Sequence, residues 1–394
     1  MPVPFLRLMT AVCAVLLSLA SCAASLTALP LNAALNEQVQ MIPVEQDGAL
    51  TLLQTTLFKP PGDGPFPLLL MNHGKSLGDP HQQSRDRFVA ISREFVRRGY
   101  AVAIPMRTGF AGSGGQYREA ACDMARNGQI QASDVRATLD YLRRQPWVDA
   151  TRILIGGQSY GGLATLAIGT QASSGVRGLL NFAGGLRMHG GQCDWQRSLV
   201  QAFAQFGRHT KVPSLWFYGA NDRHFAPPLV QRLVDAYRGA GGPAQVVRYG
   251  IFRSDAHGMS ATSEGVAIWW PATEKFLQQI DMPTAVTWTL PDDIALPASG
   301  YATLEDVAAV PFLNGGGREA YRQFLVNPSP RAFALAPSGD WSWAAEGEEP
   351  MGQALLNCGQ RAHQRCVLYA VNEVVVWPEP IQHKTLRTDG SVGK

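Results

Sequence analysis

Thr151-Arg152-Ile153-Leu154-Ile155-Gly156 runs directly into Gly157-Gln158-Ser159-Tyr160-Gly161 and then into Gly162-Leu163-Ala164-Thr165-Leu166-Ala167-Ile168. The first part is an apolar, β-branched run that reads as a buried strand, and the last part reads as a helix. Between them stands G-x-S-x-G, the spacing of a nucleophile elbow. Such a turn is tight enough that only glycine fits on either side of the serine. Its backbone strain lifts the hydroxyl out of the sheet, and the helix N-terminus beneath favours developing negative charge. The alternative is a glycine-rich turn with an incidental serine, so the partners of Ser159 decide the matter.

A serine hydroxyl is a poor nucleophile near neutrality, so a neutral imidazole must take its proton. A carboxylate on the other ring nitrogen then fixes the tautomer and stabilises the imidazolium. Downstream, residues 212–218 read as a buried strand ending in Gly219-Ala220-Asn221-Asp222. Asp222 thus sits at a strand's C-terminal end, where ligands gather in open α/β sheets. Residues 244–249 read as the next strand, and the loop after it holds Asp255-Ala256-His257-Gly258. His257 is the candidate base and Asp222 the candidate acid. The other reading of Asp222 is an Asx-type turn ahead of a helix starting near Pro227. Asp255, two residues from His257, is a rival acid, and Asp194 a second rival from an earlier strand.

Stabilising an oxyanion takes two N–H donors. The backbone of Tyr160, next after the serine, is one candidate. Residues 67–72 read as an early strand, and His73-Gly74-Lys75 follows it, so the Lys75 N–H is the other. His73 reads as a loop-shaping hydrogen-bonder.

With these pieces the chain resembles the α/β-hydrolase superfamily, in which a triad follows the order serine, acid, histidine. Within it the chain is most similar to dienelactone-hydrolase-like proteins and to the related acyl-peptidase and acetyl-esterase-like hydrolases. The resemblance covers roughly residues 38–281. It rests on the elbow, the His-Gly turn, Asp222 in Tyr-Gly-Ala-Asn-Asp and His257 in Asp-Ala-His-Gly. It implies a mostly parallel, doubly covered sheet and a Ser159–Asp222–His257 triad. Dienelactone hydrolases proper use a cysteine nucleophile, whereas Ser159 stands here. That departure favours ordinary ester, thioester or amide substrates.

The rest of the chain fits this frame. Residues 37–44 and 50–58 read as an opening hairpin, 84–98 as a helix, 100–105 as a central strand, 129–144 as a helix and 176–182 as a strand. This alternation implies parallel pairing with helical crossovers. Residues 109–115 form a glycine-rich loop with no Lys-Ser or Lys-Thr after it, so it reads as an active-site rim rather than a phosphate cradle. The stretch from 182 to 211, where a cap would be inserted, is short, and its Trp195, Phe203 and Phe206 read as helix core. Trp269 and Trp270 read as packing of the final helix. Prolines near 281–297 mark a boundary. Beyond it, 303–312 and 318–325 read as short helices. From Arg331 a repeated strand–turn–strand, helix, strand pattern forms a small α+β accessory module. The expected units are therefore 1–22, 23–282, 283–330, 331–380 and a polar tail at 381–394.

A hydrophobic fraction of 46%, a charged fraction of 16% and a net charge of +3 fit a globular enzyme and give no basic run for nucleic acid. No C-x-x-C, H-E-x-x-H or P-loop pattern implies a metal or nucleotide cofactor. At the N-terminus, Arg7 precedes an apolar run from Leu8 to Leu19, as in a secretory signal. Leu19-Ala20-Ser21-Cys22 resembles a bacterial lipobox with Cys22 as the lipidated residue. Cleavage after Ala23 and an uncleaved anchor are the alternatives, and every reading places the protein outside the cytoplasm. Cys122, Cys193, Cys358 and Cys366 then remain, and an oxidising compartment favours pairing, with Cys358–Cys366 and Cys122–Cys193 as the expected bonds. Free buried thiols are the alternative.

Three functions stay open. The first is a serine esterase acting on a small-molecule ester, with membrane contact only through the lipid anchor. The second is an acyl-peptidase-type enzyme, disfavoured because no large gating domain is read ahead of the catalytic part. The third is a non-catalytic envelope lipoprotein on a hydrolase scaffold.

Overall fold

The computed structural model describes residues 30–378 apart from 47, 172–173, 189–192, 292–295 and 346–348. Cys22, the signal segment and the tail from 381 lie outside the described residues.

Eight strands form the main sheet: β1 (Gln38–Gln46), β2 (Ala49–Phe58), β3 (Phe66–Asn72), β4 (Ala101–Pro105), β5 (Val148–Gln158), β6 (Val176–Phe182), β7 (Ser214–Gly219) and β8 (Ala244–Tyr249). Their order is β1-β2-β4-β3-β5-β6-β7-β8. The β1/β2 hairpin and the β2/β4 pair are antiparallel, and every pair from β4 to β8 is parallel. The chain winds outward from β3 to β4, returns across β3 to β5 and continues the other way. That reversal opens a crevice at the C-terminal ends of β3 and β5.

Period-2 alternation sends successive side chains to opposite faces. Leu68, Leu70, Ile153 and Ile155 join one core with helices α2 (Met124–Leu142), α3 (Tyr160–Gly169), α4 (Trp195–His209) and α5 (Pro227–Gly239). Leu69, Met71 and Leu154 join the other with α1 (Val89–Val96) and α6 (Ser263–Gln279), where Trp269 and Trp270 pack as expected. This is an α/β-hydrolase fold. The stretch considered for a cap is filled mainly by α4, which buries Leu199, Phe203 and Phe206.

The C-terminal part carries helix α7 (Gly315–Val326), strands β9 (Arg331–Leu335) and β10 (Trp341–Ala345), helix α8 (Pro350–Ala362) and strands β11 (Val367–Val371) and β12 (Val374–Val375). The strands form an antiparallel sheet ordered β10-β9-β11-β12. One face packs Phe333, Leu335 and Tyr369 against Tyr321 and Phe324 of α7. The other is lined by Ala332, Ala334 and Ala336, and their small side chains let α8 lie close.

Several elements differ from the sequence expectation. The helix expected over 84–98 is only Val89–Val96. Phe88 adopts a left-handed backbone (φ 42°), and the stretch before it is tied to other parts of the chain instead. Thr56 Oγ1 donates to the Asp86 carbonyl at 2.9 Å, and the Ser84 N–H donates to Gln353 Oε1 at 2.8 Å. No helix forms over 303–312. Asp306 Oδ1 accepts from the Ala308 and Ala309 N–H groups, each at 3.1 Å, a local turn that competes with a helix. The strand–turn–strand, helix, strand pattern occurs once rather than as a repeat. Of residues 373–377 only Val374–Val375 pairs as a strand, because the Val376 and Trp377 N–H groups both turn onto the Tyr369 carbonyl.

Candidate active site

The elbow follows from crowding. A Cβ on Gly157 would lie 2.2 Å from the Gly161 carbonyl oxygen, and one on Gly161 would lie 2.0 Å from that of Asn72. Neither position admits a side chain. Ser159 between them has φ 52° and ψ −121°, and its hydroxyl makes no capping bond to α3. Strain of this kind persists only where surrounding bonds enforce it. Here the Ser159 N–H donates to the Phe182 carbonyl at 3.0 Å, and its own carbonyl accepts from Gly185 at 2.9 Å.

Asp222 and His257 meet across the ends of β7 and β8. Asp222 Oδ2 lies 3.1 Å from His257 Nδ1. Its Oδ1 accepts from the His224 and Phe225 N–H groups at 2.8 and 2.9 Å. One side chain thus makes the Asx turn with one oxygen and reaches the imidazole with the other, so the turn aims the carboxylate at the ring. Burial pushes this carboxyl up, but His257 and the two backbone donors outweigh it and hold it below its ordinary value. The rival Asp255 is turned the other way, and its Oδ1 accepts from the backbone N–H of His257 at 2.9 Å and of Arg223 at 3.1 Å. Asp194 caps α4 through the Arg197 N–H.

One residue beside the imidazole was not legible. His224 lies against His257, ring centroids 4.2 Å apart and planes tilted by 35°. Burial, then the neighbouring His257, lowers its pKa to about 4, so it stays neutral near pH 7. Its position two residues after Asp222 was the available signal.

The β3 turn is built from within. His73 is fully buried. Its Nδ1 contacts the Gly74 carbonyl at 2.7 Å, and its Nε2 accepts from the Arg107 N–H at 2.9 Å. These bonds require the proton on Nδ1. Burial and the Arg107 charge hold the ring neutral. His73 thus shapes the loop, as expected. Gln83 was missed: its Oε1 accepts from the Ser76 N–H at 3.0 Å, and its Nε2 reaches Asp86 Oδ2 at 3.4 Å. The Tyr160 side chain is buried, its hydroxyl 3.4 Å from the Asn127 carbonyl, so what it offers the crevice is backbone. The Lys75 ammonium lies 5.4 Å over the Tyr117 ring.

Ser159, Tyr160, Lys75 and His257 line one cleft of about 350 Å³, with Leu186, Phe225 and Phe252 supplying apolar surface. Cys122 bonds to Cys193 and Cys358 to Cys366. The first bond joins the residues just ahead of α2 and α4, where the Ser198 hydroxyl also donates to the Cys122 carbonyl at 2.5 Å. His363 adopts the left-handed conformation that ends α8 (φ 51°). Among the described residues no group of His, Cys, Asp and Glu is arranged to hold a metal ion, and no helix is long and apolar enough to cross a membrane.

Sheet order and serine elbow are those of the α/β-hydrolase fold. Residues 88–188 match the model of the prolyl oligopeptidase family, a stretch that includes the elbow but neither Asp222 nor His257. No curated protein matches the chain. Among solved structures it is similar to a Klebsiella pneumoniae protein assigned as a dienelactone hydrolase (17% identity, 62% of this chain and 99% of that one, TM-score 0.45). It is also similar to the Pyrococcus furiosus esterase Pf2001 (14% identity, 64% and 97%, TM-score 0.47). A third is the acylaminoacyl peptidase of Pyrococcus horikoshii (15% identity, 64% of this chain, TM-score 0.44); the chain spans 43% of that peptidase's length.

Proposed function

We propose that the protein is a serine hydrolase that cleaves carboxylic esters through an acyl-enzyme on Ser159. The observation that carries this reading is the convergence of a strained Ser159 and an Asp222-bound His257 on one cleft. Asp222 holds His257 by Nδ1, which leaves Nε2 to take the Ser159 proton as Oγ attacks the ester carbonyl. The N–H groups of Tyr160 and Lys75 receive the oxyanion. Collapse breaks the C–O bond to the alcohol, which leaves with the proton carried by His257. Water then attacks the acyl-enzyme, its proton passing to His257, and Ser159 leaves protonated with release of the acid.

The prolyl oligopeptidase match across the elbow favours one second reading, hydrolysis of aminoacyl or acyl-peptide bonds by the same chemistry. We further propose export with a lipid on Cys22, supported by the apolar run before it and by the two disulfides. The test is turnover of p-nitrophenyl esters beside aminoacyl p-nitroanilides by a chain beginning at Ala23, with Ser159→Ala as control. Ester turnover absent from the variant supports the esterase. Anilide turnover alone supports the peptidase. Silence on both from a folded sample leaves a non-catalytic envelope lipoprotein.

A further inference from the structure

The cleft beside Ser159 is not closed by the hydrolase sheet alone. Pro328, Ser329, Pro330 and Ala345, all from the C-terminal part, line it together with Ser159 and His257. Resting on the esterase reading above, we propose that this module is the specificity wall of the site and restricts turnover to esters of short, compact groups.

Three observations converge on it. The wall is stiff at its own end: two prolines fix their φ angles on either side of Ser329 and leave no N–H to satisfy. Ser329 Oγ donates to Glu373 Oε1 at 2.9 Å. Arg331, which follows Pro330, is buried and donates to the Phe324 and Asn327 carbonyls at 2.9 and 2.7 Å and to Glu373 Oε2 at 2.8 Å. A segment tied at both of its edges does not yield readily to a longer substrate.

The wall is also fixed relative to the nucleophile. Gln353 of α8 accepts from the Ser84 N–H at 2.8 Å and donates to the Gln82 carbonyl at 2.8 Å, while the Ser84 hydroxyl donates to the Glu349 carbonyl at 3.4 Å. The segment it grips is the one whose Gln83 holds the turn carrying Lys75. Beneath the contact, Arg85 and Arg87 both donate to Glu37, and the Glu349 carboxyl lies buried among these charges. One docking contact therefore sets both the far wall and the oxyanion turn. Finally, about 350 Å³ is at the small end of ligand sites, which span roughly 300–1,000 Å³, so a wall fixed there acts as a stop.

The experiment compares Ala345→Phe, which fills the wall, and Pro328→Gly, which loosens it, in the otherwise intact chain. The readout is the ratio of kcat/KM for p-nitrophenyl octanoate to that for the acetate, with folding checked by circular dichroism. The expected result is a ratio lowered about tenfold or more by Ala345→Phe and raised about tenfold by Pro328→Gly, the scale on which methylene groups are discriminated. A ratio unchanged in both, from folded and active enzyme, overturns the proposal and leaves the esterase reading standing. If the wild type turns over no ester, the rates at which short and long alkyl fluorophosphonates label Ser159 replace the ratio. Labelling rates that differ and shift in the variants support the wall while the esterase reading falls, and no labelling overturns both. Should Ala345→Phe fail to fold, Pro328→Gly and Gln353→Ala, which undocks the wall, carry the same expectation of a raised ratio.

Discussion

The large sheet brings the ends of four strands together at the cleft: the turn after β3 with Lys75, the elbow after β5 with Ser159 and the loop after β8 with His257 line it, and Asp222 after β7 lies buried behind His257. The small sheet sends only a proline-flanked edge and the last residue of β10. The difference is one of tolerance. Acyl transfer needs a nucleophile, base and acid held within a few tenths of an ångström, and parallel strands sharing one register deliver that because their ends are fixed together. A wall needs only shape and can come from any packed element docked alongside. On this account, substitutions at the large sheet's strand ends abolish chemistry, whereas those in the module change stability and choice of substrate.

The largest expected effects break the first half of that comparison. Ser159→Ala should lower kcat by several orders of magnitude, about 10³-fold or more, with the circular dichroism spectrum unchanged. Asp222→Asn should cost up to about 10⁴-fold, since the amide no longer holds the imidazole in the right tautomer. Asp255→Asn, whose parent carboxylate accepts from the backbone N–H groups of His257 and Arg223, should cost less than about tenfold. Steady-state kinetics of the three variants checks the ranking, and a reversal of the last two would move the acid to Asp255.

Smaller effects sharpen the second half. Paired Cys122→Ser and Cys193→Ser should lower stability by about 2–5 kcal/mol, read by denaturant unfolding, because the bond closes a loop spanning 71 positions. The docking contact should give a pH signature. Burial pushes Glu349 up to about 8 and Asp86 up to about 7. The folded chain therefore keeps protons that the unfolded chain releases above about pH 4, and stability should fall as pH rises from about 4 to about 8. Glu349→Gln, which keeps the shape and loses the titration, should flatten part of that fall. Thermal midpoints measured at about pH 6 and about pH 9 decide it, and an identical fall in the variant would contradict the assignment.

Legibility in the sequence tracked the range of the interactions. The elbow was readable because its strand, glycines and helix are contiguous, and the loop positions of Asp222 and His257 because each follows its own strand in chain order. Both disulfides were readable from four cysteines left to pair. The start of α1 was not, since residues 84–87 look helical in isolation but spend their bonds on Glu37, Thr56 and Gln353. The docking contact was invisible for the same reason, as Ser84 and Gln353 stand 269 positions apart. The turn and the imidazole contact of Asp222 could not be separated in sequence because one carboxylate makes both, with an oxygen for each.

The most direct test of the central claim is covalent. A fluorophosphonate reacts with a serine only where a neighbouring base activates it. Intact mass and peptide mapping after labelling should give a single adduct on Ser159, formed by the wild type and lost in His257→Ala. An adduct on another residue, or none from folded protein, would contradict the account.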